Sequence, residues 1–360
     1  MSIFKKGKLL TFSISLLLFF SFLNFAGDLF PSKVDESKEI ESLFNEAKAD
    51  FYKGNLPSSY KNLMILKPYS NDEEYRNFMF FTLIGLGAYF DAVNFLKDNS
   101  SPEEKFLSNL LLKRDCLNLK PKFAIKENIY ISKQIARKIR GITSDGESNF
   151  ILDDKTCYKF DKGGKIVDSF QVMNGSEISI NQKKEAVILS KDSLYIGKNK
   201  IYLPSEIEMP ISFCPAPYDN YYILDGKGKV FLIDSSAKIL EERQILIKNA
   251  IKIRTDFLFR IFILSKDGIL YVYDASFNPL ITISEKLKIN DIGAITDFSV
   301  DYFGNPILLD KNNAIFIFNY SQNFLGKFYD EKFKVKSFFF DGGEFLMAVD
   351  KNGSIRKFQL

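Results

Sequence analysis

FSVDYFGNPILLDKNNAIFIFNYSQNFLGKF, residues 298–328, holds three apolar runs and the start of a fourth. Asp301 to Gly304, Lys311 to Asn313 and Asn319 to Gln322 part them. Short β-rich runs broken by Asp, Asn and Gly predict an antiparallel meander. The phrase recurs. A polar residue ends the second run at Asp153, Ser190, Asp225, Ser265, Asp310 and Asp350, at spacings of 37, 35, 40, 45 and 40 residues. Such periods of short strands predict propeller blades of four strands each.

A turn Asp precedes three of these anchors by nine residues (Asp256, Asp301, Asp341), and Asp145 precedes Asp153 by eight. Gly146, Gly304 and Gly342 follow three of the four, as tight turns require. The third run reads VFLID at 230–234, LYVYD at 270–274 and IFIFN at 315–319. The copy around Glu185 to Pro204 is the most degenerate. The phrases FSVDYFGNPILLD, SFFFDGGEFLMAVD and GITSDGESNFILDDKTCYKFDKGGKIVDSF resemble the NHL-type six-bladed propeller family over about residues 124–360. The resemblance implies the fold and leaves function open, because propellers host unrelated activities.

The last copy supplies only three strands before residue 360. An unpaired outer edge would expose a template for strand pairing. The segment FAIKENIYI, 123–131, reads as a strand and is expected to complete blade six, giving a propeller over 123–360. There are 37 Phe and no Trp, so Phe must fill the space between blades.

Lys5, Lys6 and Lys8 precede nineteen uncharged residues, 9–27. Basic residues before an apolar run orient the N-terminus inward and export the rest. Residues 1–30 are therefore expected to be a signal peptide or an N-terminal membrane anchor, with 31–36 as a tether. Small residues are required at −3 and −1 for cleavage. Asn24 and Phe25 at −3 make both candidate sites poor, and nineteen residues nearly span a bilayer. The expected location is the periplasmic or extracytoplasmic face of the membrane.

Residues 37–117 read as α-helical. Ile40, Phe44, Ala47, Phe51 and Tyr52 share one helical face. Further helices are expected over 57–66, after a cap at Asn71 to Gly85 or Gly87, over 88–97, and from a Ser101 cap through Pro102 to Leu117. AKADFYKGNLPSSYKNLMILKP and LIGLGAYFDAVNFL resemble the tetratricopeptide repeat (TPR). That resemblance implies close helix packing at Gly85, Gly87, Ala88, Tyr89 and Ala92, and a block that docks on the propeller, since two repeats are marginal alone.

Residues 35–115 carry net charge −4 and the propeller part about +5, with no basic cluster dense enough for nucleic acid. The chain has no His, which removes Ser-His-Asp and Cys-His catalysis and imidazole metal sites. The NHL family includes a zinc-dependent lyase branch that needs histidines, so this chain cannot share its mechanism. Cys116, Cys157 and Cys214 form no CxxC and are expected to be ordinary buried thiols. Turn carboxylates at Asp145, Asp301, Asp310, Asp341 and Asp350 are expected to accept backbone N–H bonds. Gly163-Gly164 and Gly226-Lys227-Gly228 read as hairpin turns, not phosphate loops.

No catalytic, cofactor or metal residue is assigned. The expected function is a non-enzymatic interaction scaffold or assembly factor in the cell envelope, partnered by envelope proteins or peptides. The alternatives are a calcium-dependent lactonase-like hydrolase, or a small-ligand sensor, using the propeller channel.

Overall fold

In the computed structural model, the 298–328 stretch belongs to one four-stranded antiparallel sheet: Ile295–Val300, Pro306–Asp310, Ile315–Phe318 and Phe324–Phe328. The structure describes residues 36–360 except 69–72, 97–100, 118, 284–291, 320–322 and 342–344. The segment 1–30, most of the tether, the Asn71 cap and Gly342 lie outside the described residues. Among the described residues no helix is long and apolar enough to cross a membrane.

Among the described residues twenty-four strands, numbered β1 (Ala124–Tyr130) to β24 (Ser354–Gln359), make six such sheets. Blades one to five are β2–β5, β6–β9, β10–β13, β14–β17 and β18–β21, spanning 141–171, 177–202, 210–244, 250–283 and 295–328. Blade six has the order β1-β24-β23-β22, with β22 at Val335–Phe340 and β23 at Phe345–Asp350. Its outermost strand thus comes from the N-terminal side of the propeller. Ala124 pairs with Gln359 and Tyr130 with Ser354.

One turn geometry recurs because the sequence repeats its chemistry. Asp301 accepts on Oδ1 from the N–H groups of Phe303 (2.9 Å) and Asn305 (2.8 Å). Its own carbonyl accepts from Gly304 N–H at 3.1 Å. Asp225, Asp234, Asp274, Asp310 and Asp350 repeat the bonds to residues two and four ahead. The residue three ahead has positive φ in each: Gly228, Ala237, Phe277, Asn313, Gly353 and Gly304. This is a type I turn closed by a left-handed residue, and its acidic first residue satisfies donors the hairpin leaves orphaned.

The second and third strands are near-continuous apolar runs, and every residue of Ile261–Ser265, Pro306–Asp310 and Ile315–Phe318 is buried, so both sheet faces are covered there. Among the described residues a separate cluster fills each of the six gaps between neighbouring blades. Phe is the main filler between blades four and five, through Phe262, Phe298, Phe316 and Phe318.

The helical block precedes the propeller: α1 (Glu36–Tyr52), α2 (Leu56–Leu66), α3 (Glu73–Gly85), α4 (Tyr89–Phe95) and α5 (Pro102–Leu111), then a π-helical turn at Leu112–Cys116. Pro57 sits in the first turn of α2. Ser101 and Glu104 form a reciprocal capping box at α5. Gly85 allows close approach, since a Cβ there would lie 2.3 Å from Leu56 Cδ1. Gly87 has a different role from that expected: nothing lies within 4 Å of its Cβ position, and its φ of +76° marks a left-handed helix end. A short helix absent from the sequence reading, α6 (Lys133–Lys138), is capped by Ser132.

Residues 46–360 form one compact unit. The block meets turns of blades three, four and five. Phe81 stacks on Phe257 with centroids 3.9 Å apart, Tyr52 meets Tyr218 and Phe259, and Ser276 donates to the Lys53 carbonyl.

Candidate functional site in the channel and at the helical junction

The innermost strand of each blade lines the central channel, and pairing with the second strand sets its register. Gly141, Glu177, Ser212, Lys252, Asp297 and Ser337 pair with Leu152, Leu189, Leu224, Leu264, Leu309 and Val349, so they occupy one level of the ring. Two residues on, strand alternation returns the same face. That level holds Thr143, Ser179, Cys214, Arg254, Ser299 and Phe339. The intervening Ile142, Ile178, Phe213, Ile253, Phe298 and Phe338 enter the cores between blades.

The two levels join in a polar network spanning four blades. Glu177 accepts from Ser212 Oγ (2.7 Å) and Phe213 N–H (2.9 Å) on one oxygen and from Arg254 Nη2 (2.6 Å) on the other. Arg254 Nη1 donates to the carbonyls of Ile253 (2.7 Å) and Phe213 (3.2 Å). Lys252 Nζ lies 3.5 Å from Glu177 and also pairs with Asp297. Burial alone would push the Glu177 carboxyl up. The Arg254 and Lys252 charges, with the bonds from Arg254 and Phe213, outweigh burial and hold it below its ordinary value. Two carboxylates against two cations leave this wall neutral.

A cavity of about 500 Å³ opens at the channel end that carries the first hairpin turn of each blade. Thr143, Ser179, Arg254, Ser299 and Phe339 line it, with Phe257, Phe259 and Tyr302 among its aromatic walls. Thr143 is fully buried, and its Oγ1 has no hydrogen-bond partner among the described residues.

At the junction, the π-helical turn inserts charge between two of these hairpins. Arg114 Nη1 lies 2.8 Å from Asp301 Oδ2, with side-chain exposures of 9% and 1%, so this pair is nearly dry. The Asn305 amide bridges Asp301 (2.9 Å) and Asp115 (3.1 Å). Arg260 binds Asp256 at 2.6 Å and donates to the Phe303 carbonyl. Gly304 makes room: a Cβ there would fall 2.4 Å from Arg260 Nη2, and its φ is +83°. Burial pushes the Asp256 carboxyl up against the pull of Arg260.

Asp115 is raised from 3.8 to about 7, first by burial and then by the Asp301 charge, against the opposing Asn305 bond and the Arg114 and Arg260 charges. A raised native pKa means the folded chain binds more protons than the unfolded chain between about pH 4 and 7. Stability contributed here is present at low pH and falls as pH rises through that window. Asp115→Asn should remove the slope and stabilise the chain by about 1–3 kcal/mol at pH 8, with the gain vanishing near pH 4. Urea unfolding at both pH values checks this; an equal effect at each would sink it.

The three cysteines stay apart and free. Cys157 and Cys214 are buried on blades one and three, and burial pushes both thiols up to about 12, which suppresses the nucleophilic thiolate. Cys116 is partly exposed, and burial and then Asp115 raise it. The turn carboxylates are spread around the ring at separate hairpins, and among the described residues no group of three acidic or thiol side chains gathers as a metal site would. Glu177, Lys252, Arg254, Asp297, Arg114 and Asp115, the charged groups of the channel network and the junction, had not been singled out by sequence reasoning.

No known protein-family pattern matches the sequence, and no curated protein matches it. Many solved structures share the fold. Virginiamycin B lyase from Staphylococcus aureus is 12% identical with a TM-score of 0.49, over 65% of this chain and 98% of that one. The Neurospora crassa Pan2 WD40 domain is 11% identical with a TM-score of 0.49, over 67% of this chain and 97% of that one. BBS1N, solved in complex with ARL6DN, is 14% identical with a TM-score of 0.49, over 67% of this chain and 98% of that one. The six-bladed β-propeller, preceded by helices, is given by the chain's own strand pairing.

Proposed function

We propose that this chain is a non-enzymatic protein-interaction scaffold or assembly factor of the cell envelope, exported and held at the membrane by residues 9–27. In this reading the propeller is NHL-like and the helical block TPR-like, and together they recognise envelope proteins or peptides. The observation that carries it is the buried Arg114–Asp301 junction. Breaking a buried pair is costly, so the junction locks block and propeller into one composite surface. The close packing at Gly85 and the fully buried Ala47 and Ala92 support the TPR-like reading. The channel carboxylates Glu177 and Asp297 are already matched by the Lys252 and Arg254 side chains, which weighs against their gathering as ligands of a calcium-dependent hydrolase.

The test is in-cell crosslinking of the full chain with a C-terminal tag, beside a variant carrying Leu86→Asp and Phe90→Asp. Those side chains are 41% and 62% exposed on the helical block. The expected result is a recurrent set of envelope proteins with the parent, lost with the variant. The tag should be digestible by protease added outside the inner membrane. A parent that crosslinks to nothing would overturn the scaffold reading and favour a ligand at Thr143.

A further inference from the structure

A second cavity, of about 390 Å³, lies between the segment joining the helical block to the propeller and the outer strands of blades five and six. That is at the lower end of the roughly 300–1,000 Å³ typical of ligand pockets. Its floor is apolar and dry: Leu110, Ile317 and Leu325 are 5%, 2% and 1% exposed. Leu119 and Pro121 form one wall. The rim is cationic. Lys113, Lys120 and Lys122 line the same cavity and are exposed. None of the three makes a side-chain hydrogen bond or ion pair among the described residues.

The wall is built rather than incidental. The Leu119 N–H donates to the Lys113 carbonyl at 2.8 Å, folding the connecting segment back on the π-helical turn. Pro121 lies against β21 (Phe324–Phe328) only because residue 326 is Gly, where a Cβ would meet Pro121 Cγ at 2.8 Å. Phe123 then packs on Phe328 with centroids 5.7 Å apart. Leu117, Leu119 and Ile125 leave half or more of their side-chain surface in water along this segment, at 54%, 52% and 56%. From residue 116 to 126 it holds three lysines and no acidic residue. An apolar floor, exposed leucines and three lysines at the opening match one chemistry: an apolar chain ending in a negative head.

We infer that the cavity formed by Leu110, Ile317, Leu325, Leu119 and Pro121 binds an anionic amphiphile, its chain inside and its head group at Lys113, Lys120 and Lys122. This goes beyond the scaffold reading and does not depend on it. A free fatty acid and an anionic phospholipid would present the same chemistry.

The test uses the protein with palmitate and with dodecyl phosphate, both below micelle formation, followed by calorimetry and native mass spectrometry. Dodecyltrimethylammonium and dodecyl maltoside serve as cationic and neutral controls. The expected result is saturable binding of one anionic molecule per chain, with the controls weaker by at least about tenfold. Lys113→Glu, Lys120→Glu and Lys122→Glu combined should lower anionic affinity by about tenfold or more without shifting the melting curve. Gly326→Ala should weaken it too by displacing Pro121, with no change in charge. Sedimentation with phosphatidylglycerol vesicles, compared with free palmitate, distinguishes the two sources; capture by either supports the site. Equal binding of all three head-group charges, or unchanged affinity in the charge-reversed variant, would overturn it.

Discussion

A chain stopped at Lys351 is expected to lose cooperative folding. The deletion removes β24, which lies between β1 and β23 in blade six. It strips β1 of its sheet partner, leaving Ala124 to Tyr130 unpaired. It also removes a buried side chain from each of two interblade cores. Phe358 is fully buried between blades five and six, 4.6 Å centroid to centroid from Phe328, and Ile355 is 2% exposed between blades six and one. Large-to-small changes at such sites cost about 3–5 kcal/mol for Phe and 2–5 for Ile. Their sum is comparable with the whole stability of a typical domain, about 5–15 kcal/mol. The loss of the Arg356–Asp330 pair and of the Arg356 contact over Phe333 comes on top. Circular dichroism melts of the truncated chain, with Ile355→Ala and Phe358→Ala beside it, check the claim. Each single variant should melt well below the parent. A truncated chain that melts like the parent would mean that closure of the ring contributes nothing.

The propeller was legible because its signals are local and repeated. Each Asp that opens a hairpin lies within four residues of the N–H groups it accepts, so Asp301, Asp310 and Asp350 announced their turns in the sequence. The third runs correspond to β12 (Lys229–Ile233), β16 (Leu270–Tyr273) and β20, and the Ser101 cap is real. Phe277 and Ala237 hold left-handed positions where glycine would be cheaper, so the turn code is only partly visible in glycine placement.

The buried charges were not legible in the same way. Glu177 and Arg254 stand 77 residues apart and meet because inner strands of blades two to four surround one axis. Arg114 and Asp301 are separated by 187 positions. A weak trace of the channel level does exist. Glu177-Ile178, Ser212-Phe213, Lys252-Ile253, Asp297-Phe298 and Ser337-Phe338 each set a polar residue before the apolar one that enters the core. Read by blade rather than by motif, that column marks the channel wall. The junction leaves no such trace, because Arg114 and Asp115 look like ordinary charges at a helix end until their burial is known.

Arg254→Met should destabilise the chain by about 2–4 kcal/mol at pH 8. Removing one partner of a buried pair leaves the other charge uncompensated, and Glu177 is only 8% exposed. Lys252, 3.5 Å from Glu177, remains to offset part of the loss, which places the estimate at or below the usual 3–5 kcal/mol for such breaks. The carbonyls of Ile253 and Phe213 also lose their guanidinium donor. The pH dependence should change sign. In the parent, Glu177 sits below its ordinary value of 4.5, so its contribution is present above that value and is lost on acidification. Without Arg254, burial dominates and raises the carboxyl, so the variant's deficit should shrink as pH falls toward 4. Glu177→Gln added to Arg254→Met should recover part of the loss at pH 8, because it replaces an unmatched charge by a neutral amide of similar shape. Urea unfolding of the four members of this cycle at pH 8 and pH 4 measures the coupling. Additive effects at both pH values would show that Glu177 and Arg254 act independently, and that the channel network is a set of neighbours without a shared energetic role.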